Sequence, residues 1–396
     1  MTKSSSLSLR YSSLQGIYWM CFCAVYGFAS VFLLEKNFEN QGIGFILAAA
    51  NILSVILQPT LGSFIDRLDK LTLKFVISSI TIATLLLLIL LSFLSSFVLL
   101  DAFLYTLIVS LTLTLQPLIN SLAFEHINAG AALNYGLTRG VGSLSFGITS
   151  FFLGQLLSRY DARILPIICL GLFFLLLILI LSFPSLTHEH SSSTVPVYPN
   201  KKLPVQENTF TFIKKYNRFG ILLIGIAFLF LFHTIVNTYL VQIVKSLGGD
   251  DSDFGLALTI ATVCELPAML GFGYLQQKFK SGKMLIFAGI FFVIRSFAFL
   301  FSTSLWMLVI AQLLQGLAFA VYTPAISYYV NKLMSNYDKI KGQTFVVGAA
   351  TLGSVFGSII AGGLLDSAGI TVMLSVGSLA AFIGSILIIF SVRTDI

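Results

Sequence analysis

The stretch GSFIDRLDKLTLK, residues 62–74, is a short basic connection between two long apolar runs. Crossing a bilayer takes about 20 mainly apolar residues in a helix. The runs on either side, 42–65 and 74–98, both reach that length. A polar connection this short predicts two consecutive membrane-spanning helices, and the same pattern recurs along the chain.

The composition of the chain indicates that lipid is its solvent. Of 396 residues, 57% are hydrophobic and only 10% are charged, and the mean hydropathy is +0.95. A soluble domain carries roughly 25% charged residues. The polar residues are too few to cover a soluble surface, so the composition excludes an ordinary soluble enzyme or binding domain.

Twelve apolar runs predict an all-α membrane protein with twelve transmembrane helices. Short alternating segments, which would indicate a β-barrel, are not found in the sequence. The predicted spans are 14–35, 42–65, 74–98, 100–123, 134–158, 164–184, 219–244, 253–276, 284–303, 305–330, 344–365 and 369–392.

The distribution of lysine and arginine predicts the orientation. With the N-terminus inside, 17 of the 23 basic residues fall on the inner connections and tails, and four fall on the outer ones. Inner loops of membrane proteins carry such an excess. We therefore predict a multi-pass cell-membrane protein with both termini in the cytoplasm. The net charge of +7 follows from this asymmetry, and we infer no nucleic-acid partner from it.

The longest polar stretch, residues 185–217, separates six predicted spans from six. It is rich in Ser, Pro and Lys, which is typical of a linker. We predict an N-terminal half at 1–184, a cytoplasmic linker at 185–217 and a C-terminal half at 218–396. His188 and His190 lie in this stretch, and a solvated linker is favoured over a metal site. The four cysteines lie inside spans as packing residues, and no metal or cofactor is predicted.

The 62–74 connection also contains a spaced motif. Its members are Gly62, Asp66, Arg67 and Lys70. Residues 273–283, GYLQQKFKSGK, repeat the first three offsets with Gly273, Gln277 and Lys278. The Gly-x-x-x-Asp-Arg-x-x-Lys motif resembles the loop signature of the major facilitator superfamily. The resemblance implies two pseudo-symmetric six-helix halves, with the loop motif stabilising one conformation of the transporter.

A closer resemblance is to the oligosaccharide–proton symporters, the family of lactose permease. It rests on GFILAAANILSVILQPTLGSFID (44–66), NYGLTRGVGSLSFG (134–147), CELPAMLGFGYLQQKFKSGKMLIFAGIFFVIRSFAFLFSTS (264–304) and SIIAGGLLDSAG (358–369). In that family, Arg139 would match an arginine that contacts sugar, and Phe146 would replace a stacking tryptophan. Glu265 would match a glutamate that accepts sugar hydroxyls, and Arg295 an arginine of the proton-coupling region.

The chain departs from that family at several functional positions, which are charged in the family except for Ala268, where the family has a sugar-binding asparagine. The substituted positions are Asn120, Thr234, Asn237, Ala268, Gln312, Gln315, Ala318 and Ala350. Charged partners are lost together, which is physically reasonable because losing one would leave a buried charge uncompensated. Ala318 occupies the usual proton-carrying position, so we expect coupling, if retained, to involve Glu265 and Arg295.

The helical spacing of the first half supports a ligand-binding face. Arg139, Gly142 and Phe146 lie at i, i+3 and i+7 and share one face of a helix. Arginine donates hydrogen bonds in a fixed fork, and an aromatic ring can stack on a sugar or a base. Alternatively, Arg139 extends to the cytoplasmic surface and Phe146 only packs.

Glu265 is the only acidic residue predicted at mid-membrane depth. Such a carboxylate is costly in lipid, and a functional role is the default hypothesis. Its neighbours on the helix face, Ala261, Thr262 and Ala268, are small, and Pro267 removes a nearby backbone hydrogen bond. Alternatively, Glu265 is permanently protonated and only links helices.

Amides complete the predicted site in the second half. Gln312 and Gln315 share one helix face, and His233 and Asn237 share another. They would bind ligand hydroxyls or, alternatively, only link helices. For His233 a packing role is favoured over proton transfer. The predicted substrate-binding residues are Asn120, Arg139, Phe146, Asn237, Glu265, Gln312 and Gln315.

These observations predict a secondary transporter for a small polar solute, sugar-like and proton-coupled, acting as a monomer in a bacterial membrane. The sequence contains no nucleotide-binding or nucleophile motif, so an enzyme is not expected. Two alternatives remain open: proton-driven efflux of amphipathic compounds, and a membrane sensor that does not transport.

Overall fold

The computed structural model describes residues 3–67, 72–93, 97–131, 133, 135–184, 212, 214–335 and 338–396, without the side chains of 3–6, 63–67, 135–137 and 340. Lys70 and most of the predicted linker, 185–211 and 213, lie outside the described residues, as do the side chains of Asp66 and Arg67.

The described residues form fourteen α-helices. They are α1 (Lys3–Phe22), α2 (Ala29–Glu35), α3 (Asn40–Arg67), α4 (Leu73–Phe93), α5 (Val98–Asn128), α6 (Tyr135–Leu157), α7 (Leu165–Ser182), α8 (Asn217–Thr238), α9 (Leu240–Ser246), α10 (Asp251–Lys278), α11 (Ser281–Leu300), α12 (Leu305–Leu313), α13 (Gln315–Leu333) and α14 (Lys339–Ser391). A π-helical turn, Cys23–Gly27, joins α1 to α2, and a 3₁₀ turn, Ala162–Ile164, precedes α7.

Twelve spans follow from these helices. In the described part of the chain, ten helical segments are long and apolar enough to cross a membrane, and the bent pair Leu7–Gly27 and Ala29–Glu35 adds an eleventh. The 53 residues of α14 would extend about 80 Å at 1.5 Å per residue, far beyond a hydrocarbon core of about 30 Å. Gly369, at φ 82°, breaks α14 into two spans, because glycine readily adopts this left-handed conformation. The predicted all-α fold with twelve transmembrane helices is confirmed.

Several spans are bent or interrupted. The first span bends by 43° at the π-helical turn, and the tenth is divided at Leu314 into α12 and α13. Pro267 lies inside α10. Membrane helices tolerate such breaks where neighbouring protein satisfies the freed backbone groups. The breaks in the first and tenth spans lie within a few residues of the polar side chains described below.

Glycines allow helices of the second half to pack closely. A Cβ atom at Gly353 would overlap the carbonyl oxygen of Ala227, and one at Gly357 would lie 2.6 Å from that of Leu231. The Gly-x-x-x-Gly pair of α14 therefore brings the backbone of α14 against that of α8, as small residues do in membrane helix pairs.

The first seam between the halves is formed by α6 and α10. A Cβ atom on Gly255 would lie 2.8 Å from the Cα of Gly154, so the two backbones are in contact. One turn further in, the hydroxyls of Ser150 and Thr259 are 2.9 Å apart. We call the end of the bundle that carries the 36–39 and 247–250 connections the closed end, and this seam begins there.

The second seam is formed by α3 and α14, also at the closed end. The Asp366 carboxylate accepts hydrogen bonds from the backbone N–H of Gln41 at 2.7 Å and from the Asn40 amide at 2.6 Å. The Tyr239 hydroxyl lies 3.1 Å from the Asn40 carbonyl and 2.7 Å from that of Ser358. Hydrogen bonds from both halves thus tie the closed end together.

Candidate substrate site

A continuous hydrogen-bonded network joins the polar residues of α8, α10, α11 and α13. The Asn237 amide lies 2.9 Å from His233 Nε2, and His233 Nδ1 lies 3.4 Å from an Arg295 nitrogen. Arg295 donates to the Gln315 carbonyl at 2.5 Å, and the Gln315 amide donates to Glu265 at 2.5 Å. The structure therefore brings together five residues from four helices.

Arg295 is a fully buried cation. Its side chain also donates to the Gln312 carbonyl at 3.1 Å, and its guanidinium lies 5.3 Å from the Phe299 ring centre. Buried arginine in a membrane helix is costly and normally faces the bundle interior with partners. Here side-chain amides and an aromatic face solvate it, and no described carboxylate contacts it directly. Its Nε has no hydrogen-bond partner among the described residues.

Gln315 stands between the two charges of this network. Its carbonyl faces Arg295 and its amide faces Glu265, so one neutral side chain satisfies both a cation and an anion. Among the described residues, Gln315 is the hydrogen-bond partner of the Glu265 side chain, and it engages one carboxylate oxygen. Because Glu265 is only partly buried, its second oxygen can accept a hydrogen bond from a bound solute.

Arg139 faces this network from the other half. It lies one turn from Ser143 on α6, and its guanidinium donates to the Ser143 hydroxyl at 3.0 Å. The two helices pack together beside these residues: a Cβ atom at Gly147 on α6 would lie 3.9 Å from the Thr262 side chain on α10, three residues before Glu265. A cation of the first half and an anion of the second therefore lie on either side of the boundary between α6 and α10.

Trp19 organises the first half of the site. The Arg139 guanidinium lies 4.0 Å from the centre of its ring, a cation–π contact. The indole edge fills the space at Gly142, where a Cβ atom would overlap it. The gap that the sequence places between Arg139 and Phe146 is thus occupied by a tryptophan of α1.

Asn120 is connected to Arg139 through two side chains of α1. Its carbonyl accepts a 3.0 Å hydrogen bond from Gln15, and the Gln15 carbonyl accepts one of 3.1 Å from Trp19 Nε1. Asn120 therefore fixes the orientation of the indole on which Arg139 lies.

An aromatic wall lies beside these polar groups. Phe146 meets Trp19 edge-on at 6.4 Å and lies 6.3 Å from Phe22, which stacks on Tyr26 at 5.2 Å. The Asn51 amide approaches the Tyr26 hydroxyl at 3.5 Å. Aromatic faces beside hydrogen-bonding groups suit solutes with apolar faces and polar edges, such as sugars.

The sequence did not single out Trp19, Gln15, Phe22, Tyr26 or Asn51. One signal was available: Gln15 and Trp19 are four residues apart on α1, and Trp19 is one of two tryptophans in the chain. The contact between Trp19 and Gly142, however, depends on how α1 packs against α6, and this packing cannot be predicted from the local sequence.

The remaining predicted features contribute less to this site. Gly62 lies in α3 with open space at its Cβ position. Among the described residues, no cluster of three His, Cys, Asp or Glu side chains could hold a metal ion, and His188 and His190 lie outside those residues.

Sequence comparisons place the chain among membrane transporters. The model of the MFS_1 like family matches residues 11–375. Maltose permease of Geobacillus stearothermophilus is 24% identical over 360 residues, covering 88% of this chain and 85% of the permease. The uncharacterized transporter YwbF of Bacillus subtilis (strain 168) is also 24% identical over 360 residues, with 88% and 84% coverage.

The fold matches solved transporter structures over nearly the whole chain. The crystal structure of the nucleoside transporter NupG superimposes with a TM-score of 0.79 at 17% identity, covering 99% of this chain and 98% of NupG. A bacterial homologue of the human lysosomal transporter Spinster, in an inward-facing and unoccupied conformation, gives a TM-score of 0.63 at 11% identity, with 99% and 96% coverage. At these identities the comparison concerns the fold.

Proposed function

This chain belongs to the MFS_1 like family, and on that premise we propose that it carries a sugar or oligosaccharide-like solute across the membrane by alternating access. It is a multi-pass transporter of the major facilitator superfamily, and its relatives are permeases and transporters, not enzymes. The observation that carries the proposal is the placement of Arg139 and Glu265 in opposite halves, each beside hydrogen-bonding or aromatic partners.

The two halves offer complementary recognition chemistry. Glu265 accepts hydrogen bonds from solute hydroxyls, and Arg139 donates to solute oxygens in a fixed geometry. Phe146 and the neighbouring rings supply an apolar wall for the face of a sugar ring. The relative named maltose permease supports a sugar over other polar solutes.

We further propose that Glu265 carries a coupling proton. Gln315 is neutral and does not exchange charge, so Glu265 is the titratable partner in the path between Arg139 and Arg295. Protonation of Glu265 removes its attraction for Arg139 across the boundary between the halves. Solute and proton would then leave together when the site opens to the other side.

In the proposed transport cycle, the two seams at the closed end are the contacts that separate and re-form. Midplane sites in this class of transporter are exposed alternately as one half rocks against the other. Opening the closed end requires separating α6 from α10 and α3 from α14. With the predicted cytoplasmic termini, the closed end would face outward, which corresponds to an inward-facing state. We propose that the chain works in this way as a monomer in a bacterial cell membrane.

A ligand screen on the purified chain tests the substrate class. Thermal unfolding is followed with mono- and oligosaccharides, nucleosides and amphipathic drugs, because a solute that binds only the folded state raises the melting temperature. We expect stabilisation by a sugar, and accumulation of that sugar in proteoliposomes only with an inward proton gradient. Stabilisation confined to nucleosides or drugs would refute the sugar assignment.

A further inference from the structure

An apolar groove with a volume of about 750 Å³ opens between α10, α11 and α13. This is within the range of roughly 300–1,000 Å³ for small-molecule sites. Its lining includes Ala268 on α10, Met284 and Phe287 on α11, and Leu317 on α13. Lys283 is the charged residue in that lining.

The groove has the length of one membrane leaflet. Along α10 its lining extends from Cys264, near the middle of the helix, to Phe279, just past its end. The 15 steps between these two residues correspond to about 22 Å at 1.5 Å per residue, about half of a bilayer of about 40–45 Å including its headgroups. Phe287 and Leu317 are exposed along its walls, so the groove is open to the membrane.

The rim of the groove is basic. Lys283 lies in the first turn of α11, Lys280 immediately precedes that helix, and Lys278 is the last residue of α10. The Lys278 ammonium lies 4.5 Å from the centre of the Tyr274 ring, and Lys280 donates to the Asp395 backbone carbonyl at 2.9 Å. The predicted orientation places this rim in the cytoplasmic leaflet, where anionic lipids concentrate.

We propose that the groove binds an acyl chain of an anionic phospholipid whose headgroup contacts Lys283. A dry, membrane-open cleft suits a hydrocarbon chain, and a basic rim at its end suits a phosphodiester. The inference goes beyond the proposed transport activity and does not depend on which solute is carried.

The groove also adjoins the polar network. Its inner end is formed by Cys264 and Gly316, where a Cβ atom at Gly316 would overlap the Cys264 carbonyl. The next residue on α10, Glu265, and the preceding one on α13, Gln315, form the 2.5 Å hydrogen bond of the site. An acyl chain packed there supports the contact between α10 and α13 that holds Gln315 against Glu265.

Native mass spectrometry of the purified full chain measures lipid binding directly. Phosphatidylglycerol and phosphatidylcholine with identical acyl chains are titrated against the wild type, Lys283→Ala and Leu317→Trp. We expect phosphatidylglycerol to bind the wild type about five-fold more tightly than phosphatidylcholine, the contribution of one lysine near an anionic headgroup. Lys283→Ala should abolish that preference, and Leu317→Trp, which fills the groove, should weaken both lipids.

Two control variants and a competing ligand test whether the lipid binds in the groove and not elsewhere on the chain. Ile310→Trp adds the same bulk at an exposed position outside the lining, and Lys245→Ala removes a lysine at the closed end. Both should bind lipid like the wild type, and inorganic phosphate should not displace the lipid. Equal binding of the two lipids by the wild type, or unchanged binding by Leu317→Trp, would overturn the proposal. Two further results would also overturn the proposal. In one, the wild type is a dimer that Leu317→Trp dissociates, so a second copy fills the groove; in the other, a drug binds the groove in place of lipid.

Discussion

Gln315 donates a 2.5 Å hydrogen bond to the carboxylate of Glu265, and its carbonyl accepts one from Arg295. The amide keeps a buried cation and a partly buried anion in one network without direct contact between them. Gln315 thus connects Glu265 to Arg295 by hydrogen bonds, and Arg139 lies on the other side of the boundary between α6 and α10.

Glu265→Gln should abolish accumulation of the solute against a gradient. Gln keeps the shape and a hydrogen-bonding carbonyl but cannot bind or release a proton. Solute exchange at equal concentrations should persist and lose its pH dependence. Transport in proteoliposomes with and without a proton gradient measures this, with Glu125→Gln at the exposed end of α5 as control. Full accumulation with unchanged pH dependence would make Glu265 a structural residue.

Arg139→Lys should weaken solute binding about ten-fold or more. Lysine keeps the charge but loses the planar fork, and a hydrogen bond to a charged group contributes about 1.5–3 kcal/mol. Isothermal titration with the solute found in the ligand screen gives the affinity. Arg163→Lys, at an exposed arginine near the closed end, is the matched control. Equal affinities of Arg139→Lys and the wild type would remove Arg139 from the binding site.

Gly255→Val should favour a conformation in which the seam between α6 and α10 is separated. A Cβ atom there would meet the backbone of Ser150 and Gly154, so α6 and α10 could no longer close. Labelling of Ser252→Cys by an impermeant maleimide, with the four native cysteines replaced, should rise several-fold. Gly271→Val, on the same helix with open space at its Cβ, should leave labelling unchanged. No increase with Gly255→Val would show that this seam tolerates a side chain.

Asp338→Asn should reduce the loss of stability in acid. Burial of the Asp338 carboxyl acts to raise its pKa. Hydrogen bonds from Lys215, Ser335 and Tyr216, with the Lys215 charge, outweigh that effect and leave the pKa below its usual value. A carboxyl with a lowered folded-state pKa stabilises the fold above its unfolded pKa of about 3.9 and stops doing so as pH falls through the folded value.

Melting temperatures of the purified chain between about pH 6 and about pH 3 measure this difference. The melting temperature of the wild type should fall further over this range than that of Asp338→Asn. Parallel curves would mean that the Asp338 contacts do not stabilise the fold.

Residue 192, in the predicted linker, should be inaccessible from outside the cell. Since 17 of 23 basic residues fall on the predicted inner side, the linker is expected in the cytoplasm. Ser192→Cys, in a background without the native cysteines, should resist an impermeant thiol reagent in intact cells and react after lysis. Ready labelling in intact cells would reverse the predicted orientation, and with it the leaflet assigned to the lipid groove.

The architecture could be predicted because the membrane restricts it strongly. A run of about 20 apolar residues has few alternatives to a spanning helix, so the twelve spans follow from the sequence. Breaks within spans were harder to predict. The division at Leu314 and the π-helical turn at Cys23–Gly27 depend on neighbouring helices. The break at Gly369 was indicated only by the boundary between the apolar runs 344–365 and 369–392.

The second half of the site was more predictable than the first. Asn237, Glu265, Gln312 and Gln315 are rare polar residues in apolar helices, and such residues turn toward one another because lipid offers no partners. Trp19 is different: its spacing from Gln15 and the rarity of tryptophan mark the residue, but they do not indicate which helix it contacts. Its role arises from the absence of a side chain at Gly142 on another helix.

The burial of Arg295 has a consequence for how the chain is made. During synthesis, α11 emerges before α13, so Arg295 enters the bilayer before Gln312 and Gln315 exist. At that stage the polar partners already present are His233 and Glu265, on the preceding spans. Gln315 must then insert between Arg295 and Glu265 once α13 follows, and the second half reaches its final packing only after the tenth span of the chain has been translated.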